Sequence, residues 1–541
     1  MSLAASTPVK PLRTSGNLTP KRTKVPLIPL RDAGFVRMMI ALGLAMAGIF
    51  AGVIFVGKSI AFLAVIPFAL CIVAVAARDQ AVAVFLYLGY AAMEGMFKYL
   101  SNFSQVVYMV APAMLAAIAV AWGLSRRARS LSGNPPPLTL GIALYAGIAF
   151  IQAMNPYGGG FVPGLATAFL WYIGPLLMYL VGCTAVRSLR QITALLYALV
   201  VISVVTSLIG IFQYQKGEEW VLNHLPGYES TNSMRYVVTD DAGKARQGGF
   251  RPASTFSQAG AGGSVAQFGV LAALGLLFVT GMPKTRKALI AVSLPINAVA
   301  LMIYGTRLFV VSAIFMVVLF FILQARSQRE MINSVVGLIL FSVVSAVGFT
   351  TAQFLTDGVI VYRFKDTLAN PLERYQQERG QNLTFLLKFI EQYPLGIGYQ
   401  RGLSSWDERN VSGSTIDTNR ETQFNCLQGD TGLPGLLVMI GICTGLTVRG
   451  WRAMRSVREP RLRTLGSLLF VILCGHHVTW FVGPVLQGAV LFWFTGGILI
   501  ALPLIERREL QALEAMNRGS GVSSRAATPA PAAVATAEGR A

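Results

Sequence analysis

The chain is built largely of apolar stretches about 20 residues long, the length that an α-helix needs to cross the hydrocarbon core of a membrane. Short polar segments separate these stretches, and hydrophobic residues make up 54% of the sequence. The pattern predicts an all-α polytopic membrane protein with about 14 transmembrane helices. The predicted spans are residues 36–56, 59–77, 80–97, 104–124, 138–154, 165–186, 191–213, 260–281, 286–304, 307–324, 331–354, 431–448, 464–482 and 484–504.

The 45 Lys and Arg residues are distributed unevenly between the two sides that these spans define. Most of them fall on the side that carries both termini, whereas basic and acidic residues balance on the other side. Cytoplasmic segments are enriched in Lys and Arg, so both termini are predicted to be cytoplasmic. The net charge of +21 is then a topological bias, and no nucleic-acid partner is expected. The densest cluster, residues 449–463, is predicted to contact anionic lipid.

Two segments on the external side are long, and they divide the chain. Long loops usually carry function, because loops without a function stay short. The predicted division is 1–34, a disordered cytoplasmic tail; 35–213, a bundle of seven spans; 214–259, a first long loop; 260–354, four spans; 355–430, a second long loop; 431–505, three spans; and 506–541, a second disordered cytoplasmic tail rich in Ala, Pro, Ser and Gly.

Charged or ionisable side chains occur within a few of the predicted spans. Glu94 and Lys98 are four residues apart, so they are predicted to form an ion pair on one helix face. His476 and His477 lie in one span and are predicted to bond to neighbouring helices rather than to act in catalysis. The five cysteines show neither a disulfide framework nor the spacing of metal ligands.

Two arginines stand where helices begin on the external side. Arg251 precedes the span that starts at about residue 260, and Arg307 occupies the turn between two later spans. Helix N-termini favour anions, and guanidinium groups bind phosphate oxygens in pairs, so the two arginines together would suit a diphosphate. The alternative for each is an interfacial arginine that bonds phospholipid headgroups.

The second long loop contains an amphipathic segment. Residues 382–392 place apolar side chains at helical spacing, and Pro394 ends the pattern. Such a helix would either lie over a lipid-linked substrate or pack against the bundle.

Four stretches of the chain resemble, in order, the motifs of the O-antigen polymerase and O-antigen ligase superfamily. The first two are Gly249-Phe250-Arg251-Pro252 with Gly260 and Gly262, and Tyr304-Gly305-Thr306-Arg307. The others are Arg379 with Pro394-Leu395-Gly396-Ile397-Gly398, and Glu421-Thr422-Gln423-Phe424 through Asp430-Thr431-Gly432-Leu433-Pro434-Gly435. The resemblance covers roughly residues 250–450. It implies a multi-pass enzyme of the bacterial inner membrane that transfers glycan from undecaprenyl diphosphate at the periplasmic face.

The resemblance also implies roles for individual residues. Arg251, Arg307 and Arg379 would stabilise the diphosphate leaving group without a metal or other cofactor. Arg420 and Gln423 would bind substrate. Glu421 would be the general base, with Asp417, Asp430 and His224 as further candidates. Ligases of the superfamily have a histidine where this chain has Glu421, so a polymerase of lipid-linked repeat units is favoured over a ligase.

Two other functions remain open from the sequence. One is an O-antigen ligase that transfers the glycan to another acceptor, and the other is a transporter or flippase. A carrier is expected to show paired internal repeats, and none is evident. Beyond the lipid-linked glycan and membrane lipids, the expected partners are a chain-length regulator and a flippase.

Overall fold

The fold is an antiparallel bundle of apolar helices, given by a computed structural model. The structure describes residues 72, 75–76, 78–101, 105–125, 135–158, 160–225, 238–239, 245–246, 250–256, 259–325, 328–356, 358, 364, 373, 376, 381–399, 422–481 and 489–525. In this part of the chain, ten helices are long and apolar enough to cross a membrane. Two apolar helices, Val110–Leu124 and Thr139–Gln152, are shorter. The chain is therefore a helical multi-pass membrane protein.

The helices follow the order of the predicted spans. They are α1 Gln80–Leu100, α2 Gln105–Leu124, α3 Thr139–Gln152, α4 Phe161–Ala168, a π-helical turn Phe169–Ile173, α5 Gly174–Ala185, α6 Leu189–His224, α7 Ala259–Phe278, α8 Lys284–Ile303, α9 Arg307–Gln324, α10 Gln328–Leu355, α11 Gln381–Gln392, α12 Gln423–Ser456, α13 Pro460–Thr479 and α14 Val490–Arg525. Two-residue strands, β1 Val238–Thr239 and β2 Ala245–Arg246, pair antiparallel between α6 and α7. The first two predicted spans, 36–56 and 59–77, lie outside the described residues apart from residues 72, 75 and 76.

Short connections make successive helices alternate in direction, so the bundle has two distinct ends. We call the end that carries residues 153–158, 160, 250–256, 304–306, 393–399 and 480–481 the loop end. Backbone hydrogen bonds join its segments, such as Gln423 N to Trp480 O at 3.0 Å. The opposite end, which we call the basic end, carries residues 186–188, 279–283 and 457–459.

Several helices extend beyond the boundaries that hydropathy predicts. Helix α6 continues through His224, into the predicted loop 214–259, and α12 begins at Gln423, inside the predicted loop 355–430. Each has one glycine with a positive φ, Gly217 at 85° and Gly432 at 67°. A helix that leaves the membrane becomes polar, so hydropathy does not reveal its continuation.

The predicted disordered tail 506–541 is corrected for its first part, because α14 remains helical to Arg525. Carboxylates of this extension accept bonds from other helices at the basic end. Glu506 Oε1 accepts from Arg458 N at 2.7 Å and from Glu459 N at 2.6 Å, and Glu509 Oε1 accepts from Leu189 N at 3.1 Å. These bonds satisfy backbone donors at the starts of α6 and α13, and they hold the extension to the bundle. Residues 526–541 lie outside the described residues.

Candidate functional site

The segment 250–256, which carries Arg251, is held firmly between α1 and α6. Gln213 of α6 makes two bonds to Ser254: its Nε2 donates to Ser254 O at 2.8 Å, and its Oε1 accepts from Ser254 N at 2.7 Å. Met96 N of α1 donates to Thr255 O at 2.9 Å. Ser254 has a φ of 56°, a left-handed conformation that is uncommon for residues other than glycine and is maintained here by this paired bonding.

Arg251 contacts the turn between α8 and α9. Its Nε donates to Tyr304 O at 3.2 Å, and its Nη2 donates to Thr306 Oγ1 at 2.8 Å. Two bonds from one planar guanidinium fix both its position and its plane. The sequence placed Arg251 and the 304–307 turn in separate motifs, and the structure brings these two motifs into direct contact.

Arg307 is the first residue of α9, and it is half-buried. Thr306 precedes it at the N-cap position but makes no side-chain capping bond, and its hydroxyl oxygen accepts from Arg251 instead. A cation at a helix N-terminus meets the positive end of the helix dipole, at a cost of about 0.3–1 kcal/mol. Arg251, Arg307 and the start of α9 thus bring positive charge to one place, an arrangement that suits an anionic ligand.

Tyr304 anchors this turn to α6 through its hydroxyl and to α7 through its ring. Its hydroxyl donates to Thr206 O of α6 at 2.9 Å. The ring lies against Gly262 of α7, where an added Cβ would lie 2.6 Å from ring carbons. Glycine at 262 is therefore needed for the ring to fit, which gives the spacing between Arg251 and Gly262 a packing reason.

A second set of contacts joins the 393–399 loop to the kink of α12. Leu433 N donates to Pro394 O at 2.8 Å, and Ile397 N donates to Gly429 O at 2.9 Å. Gly396 has a φ of 76°, and a Cβ there would lie 2.7 Å from Gly432 N. The loop and the kinked helix start are therefore complementary in backbone shape, and glycine permits the close approach.

Asp430 lies just before this kink and is buried. Tyr172 of the π-helical turn donates its hydroxyl to Asp430 Oδ2 at 2.6 Å. The rings of Tyr145 and Tyr399 lie 5.9 Å and 6.0 Å from the ring of Tyr172. In the structure Asp430 is therefore a buried hydrogen-bond acceptor within a cluster of tyrosines, and its candidacy as the base stays a prediction.

An open cavity of about 350 Å³ lies at the connection between α3 and α4. Its lining residues are Ala153, Met154, Asn155, Pro156, Gly158, Gly160 and Phe161. Asn155 of this connection lies against the loop, because a Cβ at Gly398 would be 2.6 Å from Asn155 Cβ. The cavity and the Arg251 turn are both at the loop end.

The remaining predicted site residues have different outcomes. Arg379, Arg420, Glu421 and Asp417 lie outside the described residues, so their roles stay predictions. Gln423 is fully buried at the start of α12, which places its side chain away from any open surface. The predicted amphipathic helix is present as α11, with Leu387 69% exposed and Phe389 buried.

The histidines and the charged pair within the spans are also located. Glu94 and Lys98 form the predicted ion pair at 2.8 Å. His476 and His477 bond through Nδ1 to Ile472 O and Leu473 O of their own helix, where bonds to neighbouring helices were predicted. His224 stacks on Trp220 with ring centroids 4.2 Å apart and bonds to Trp220 O, a local contact within α6.

The contacts that sequence reasoning missed are the pairs Gly262–Tyr304 and Tyr172–Asp430. Both join residues far apart in the chain, and the local sequence does not specify which helices pack against each other. Comparison with known proteins adds no relative: no protein-family model matches the chain, and no curated protein matches it.

Proposed function

We propose that the chain is a glycosyltransferase that polymerises undecaprenyl-diphosphate-linked oligosaccharides into a surface polysaccharide or exopolysaccharide. The proposal keeps the predicted arrangement of about 14 spans in a bacterial inner membrane, with both long loops periplasmic and both termini cytoplasmic. The loop end of the bundle is then the periplasmic end.

The observation that carries the proposal is the contact between Arg251 and the 304–307 turn. Arg251 is bonded to Tyr304 and Thr306, and Arg307 follows directly at the start of α9. Two guanidinium groups beside a helix N-terminus match a diphosphate, which presents several anionic oxygens and stays charged at working pH.

The chemistry follows from the departure of this diphosphate. Cleavage of the glycosyl bond leaves negative charge on the diphosphate oxygen, and prepositioned cations stabilise that charge as it develops. The bonds from Arg251 to the turn hold its guanidinium in place before substrate arrives. Arg379 is proposed as a third cation, Arg420 as a substrate-binding residue, and Glu421 as the base that takes the proton of the attacking sugar hydroxyl.

The test is polymer synthesis in cells and by the purified protein with Arg251→Ala or Arg307→Ala. Each change should lower the rate by about 10²–10³-fold, as does loss of a preorganised donor at other developing anions. Arg251→Lys should recover part of the rate, since it keeps the charge and loses the paired donors. Normal polymer from Arg251→Ala at wild-type protein level would overturn the diphosphate role.

The matched control is Lys216→Ala, which removes an exposed cation at the same end of the bundle. Lys216 lies over the Phe212 ring at 5.7 Å and takes no part in the Arg251 turn. Its activity should stay near that of the wild type. A loss equal to that of Arg251→Ala would indicate a general need for positive charge rather than a specific clamp.

A separate experiment distinguishes an enzyme from a carrier. Purified protein in detergent is given a lipid-diphosphate oligosaccharide, with no sealed compartment and no ion gradient. Longer glycan chains on the lipid are the expected product of a polymerase. Unchanged oligosaccharide, together with gradient-driven movement of the lipid in vesicles, would instead identify a carrier.

A further inference from the structure

The outer face of α12 changes from apolar to basic as it approaches the basic end. Leu437 is 59% exposed and Val448 44% exposed, and Trp451 lies further along the same face. These positions recur at helical spacing, and Arg452 and Arg455 continue the same face. An apolar stripe that ends in tryptophan and arginine is typical of a helix face that passes from acyl chains to lipid headgroups.

Trp451 and Arg455 form a preorganised pair at this boundary. The guanidinium carbon of Arg455 lies 5.4 Å from the centre of the Trp451 ring, a cation–π distance. Trp451 in turn packs on Phe470 of α13, with ring centroids 5.3 Å apart. The indole therefore holds Arg455 at the edge of the apolar stripe, and α13 holds the indole.

The carboxylates near this face form hydrogen bonds or ion pairs with groups other than Arg452 and Arg455. Glu506 accepts from Arg458 N and Glu459 N, and the Glu459 side chain accepts from Leu462 N at 2.6 Å. Glu330 pairs with Arg463 at 2.6 Å. Within the part of the chain that the structure describes, neither Arg452 nor Arg455 forms an ion pair.

We propose that Trp451, Arg452 and Arg455 form a binding site for an anionic phospholipid. The two guanidinium groups would bind the phosphate, and the acyl chains would lie along Leu437 and Val448. The exposed apolar side chains Leu437, Val448 and Trp451 favour a lipid over a free phosphate ion, because an inorganic ion gains nothing from apolar contacts. A zwitterionic lipid would bring its own cation to two arginines, so an anionic headgroup is the better match.

The test follows the fluorescence of Trp451 in mixed micelles. The probe is phosphatidylglycerol with brominated acyl chains, which quench tryptophan on contact, diluted into unlabelled phosphatidylcholine. Subtracting the signal of Trp451→Phe isolates Trp451 among the seven tryptophans of the chain. Quenching of Trp451 by brominated phosphatidylglycerol should exceed the value expected from the mole fraction of that lipid. Quenching by brominated phosphatidylcholine should equal the value expected from its mole fraction.

Arg452→Ala and Arg455→Ala should each weaken the enrichment by about fivefold, the effect of one cation near an anionic surface. The double change Arg507→Ala with Arg508→Ala is the matched control, because it removes two exposed arginines from α14 near the same end. It should leave the enrichment unchanged.

Three results would overturn the proposal. One is Trp451 quenching by brominated phosphatidylglycerol that only follows mole fraction. Another is an Arg452→Ala, Arg455→Ala double variant that retains the wild-type enrichment. The third is displacement of the lipid by millimolar inorganic phosphate, which would assign the arginines to a free anion. None of these readouts uses glycan transfer, so the lipid site and the proposed enzymatic function fail independently.

Discussion

At the scale of single residues, the loop end depends on a few long-range contacts that fix polar groups in an apolar bundle. Tyr304 and Tyr172 each place a phenol hydroxyl on one acceptor, Thr206 O and Asp430 Oδ2. In a buried site such a bond matters mainly because its loss leaves a polar group without full compensation. The tyrosines therefore link the positions of the Arg251 turn and of the α12 kink to the rest of the bundle.

Tyr172→Phe removes the donor to Asp430 and leaves the ring. We expect the free energy of unfolding to fall by about 1–3 kcal/mol, the cost of leaving a buried acceptor without this hydrogen bond. Thermal unfolding in detergent measures it. Tyr157→Phe is the control, since Tyr157 is 61% exposed. Equal melting temperatures for the two variants would show that the Asp430 bond contributes little.

Gly262→Ala adds a methyl group 2.6 Å from the Tyr304 ring. We expect a loss of about 1–3 kcal/mol from overpacking, together with lower transfer activity, because the displaced ring moves the carbonyl that Arg251 binds. Gly441→Ala is the control, as nothing lies within 4 Å of its added Cβ. Equal stability and equal transfer rate for Gly262→Ala and Gly441→Ala would contradict the close packing of the Tyr304 ring against Gly262.

The sequence identified Arg251 and the 304–307 turn as candidate site elements, but it could not show that the two contact each other. Their contact depends on how α7 and α8 pack, and local sequence does not specify a distance between helices. The contact between Glu94 and Lys98, by contrast, could be predicted from the sequence, because the two residues lie four positions apart on one helix. The proposed base, Glu421, lies outside the described residues.

At the scale of elements, the kink of α12 determines how closely the 393–399 loop can approach this helix. Gly432 has a φ of 67°, and a Cβ there would lie 2.8 Å from Leu395 Cα. The kink both turns the helix and makes room for the 393–399 loop. Hydropathy predicted α12 from residue 431 onwards but missed its first eight residues, 423–430. Several of these residues are polar, and they are buried by other segments of the protein rather than by an apolar membrane environment.

Gly432→Ala should therefore combine two penalties. A positive φ with ψ near 180°, which is essentially restricted to glycine, costs about 1–3 kcal/mol for a residue with a Cβ, and the clash with Leu395 adds to it. Gly217→Ala is a control for the first penalty alone, because Gly217 has a φ of 85° with nothing within 4 Å of the added Cβ. Unfolding of both variants in detergent measures the difference. A Gly432→Ala variant no less stable than Gly217→Ala would contradict the tight fit of the loop.

At the scale of the whole molecule, the hydropathy pattern determines the helical bundle, and the charge pattern predicts its direction in the membrane. Helix existence was predictable because each span must be apolar over its full length. The helical extension of α14 was not, because it is stabilised by bonds from Glu506 and Glu509 to other helices. The proposed direction puts the arginine turn and the long loops on the periplasmic side and the basic end in the cytoplasm.

Single cysteines at the two ends test this direction. In a variant without the native cysteines, Lys216→Cys marks the loop end and Arg508→Cys the basic end, and both positions are exposed. A membrane-impermeant maleimide added to intact spheroplasts should label Lys216→Cys and should reach Arg508→Cys only after lysis. The reason is that Lys and Arg are retained on the cytoplasmic side during insertion. The opposite pattern would put Arg251 and Arg307 in the cytoplasm, where a periplasmic polymerase could not use them.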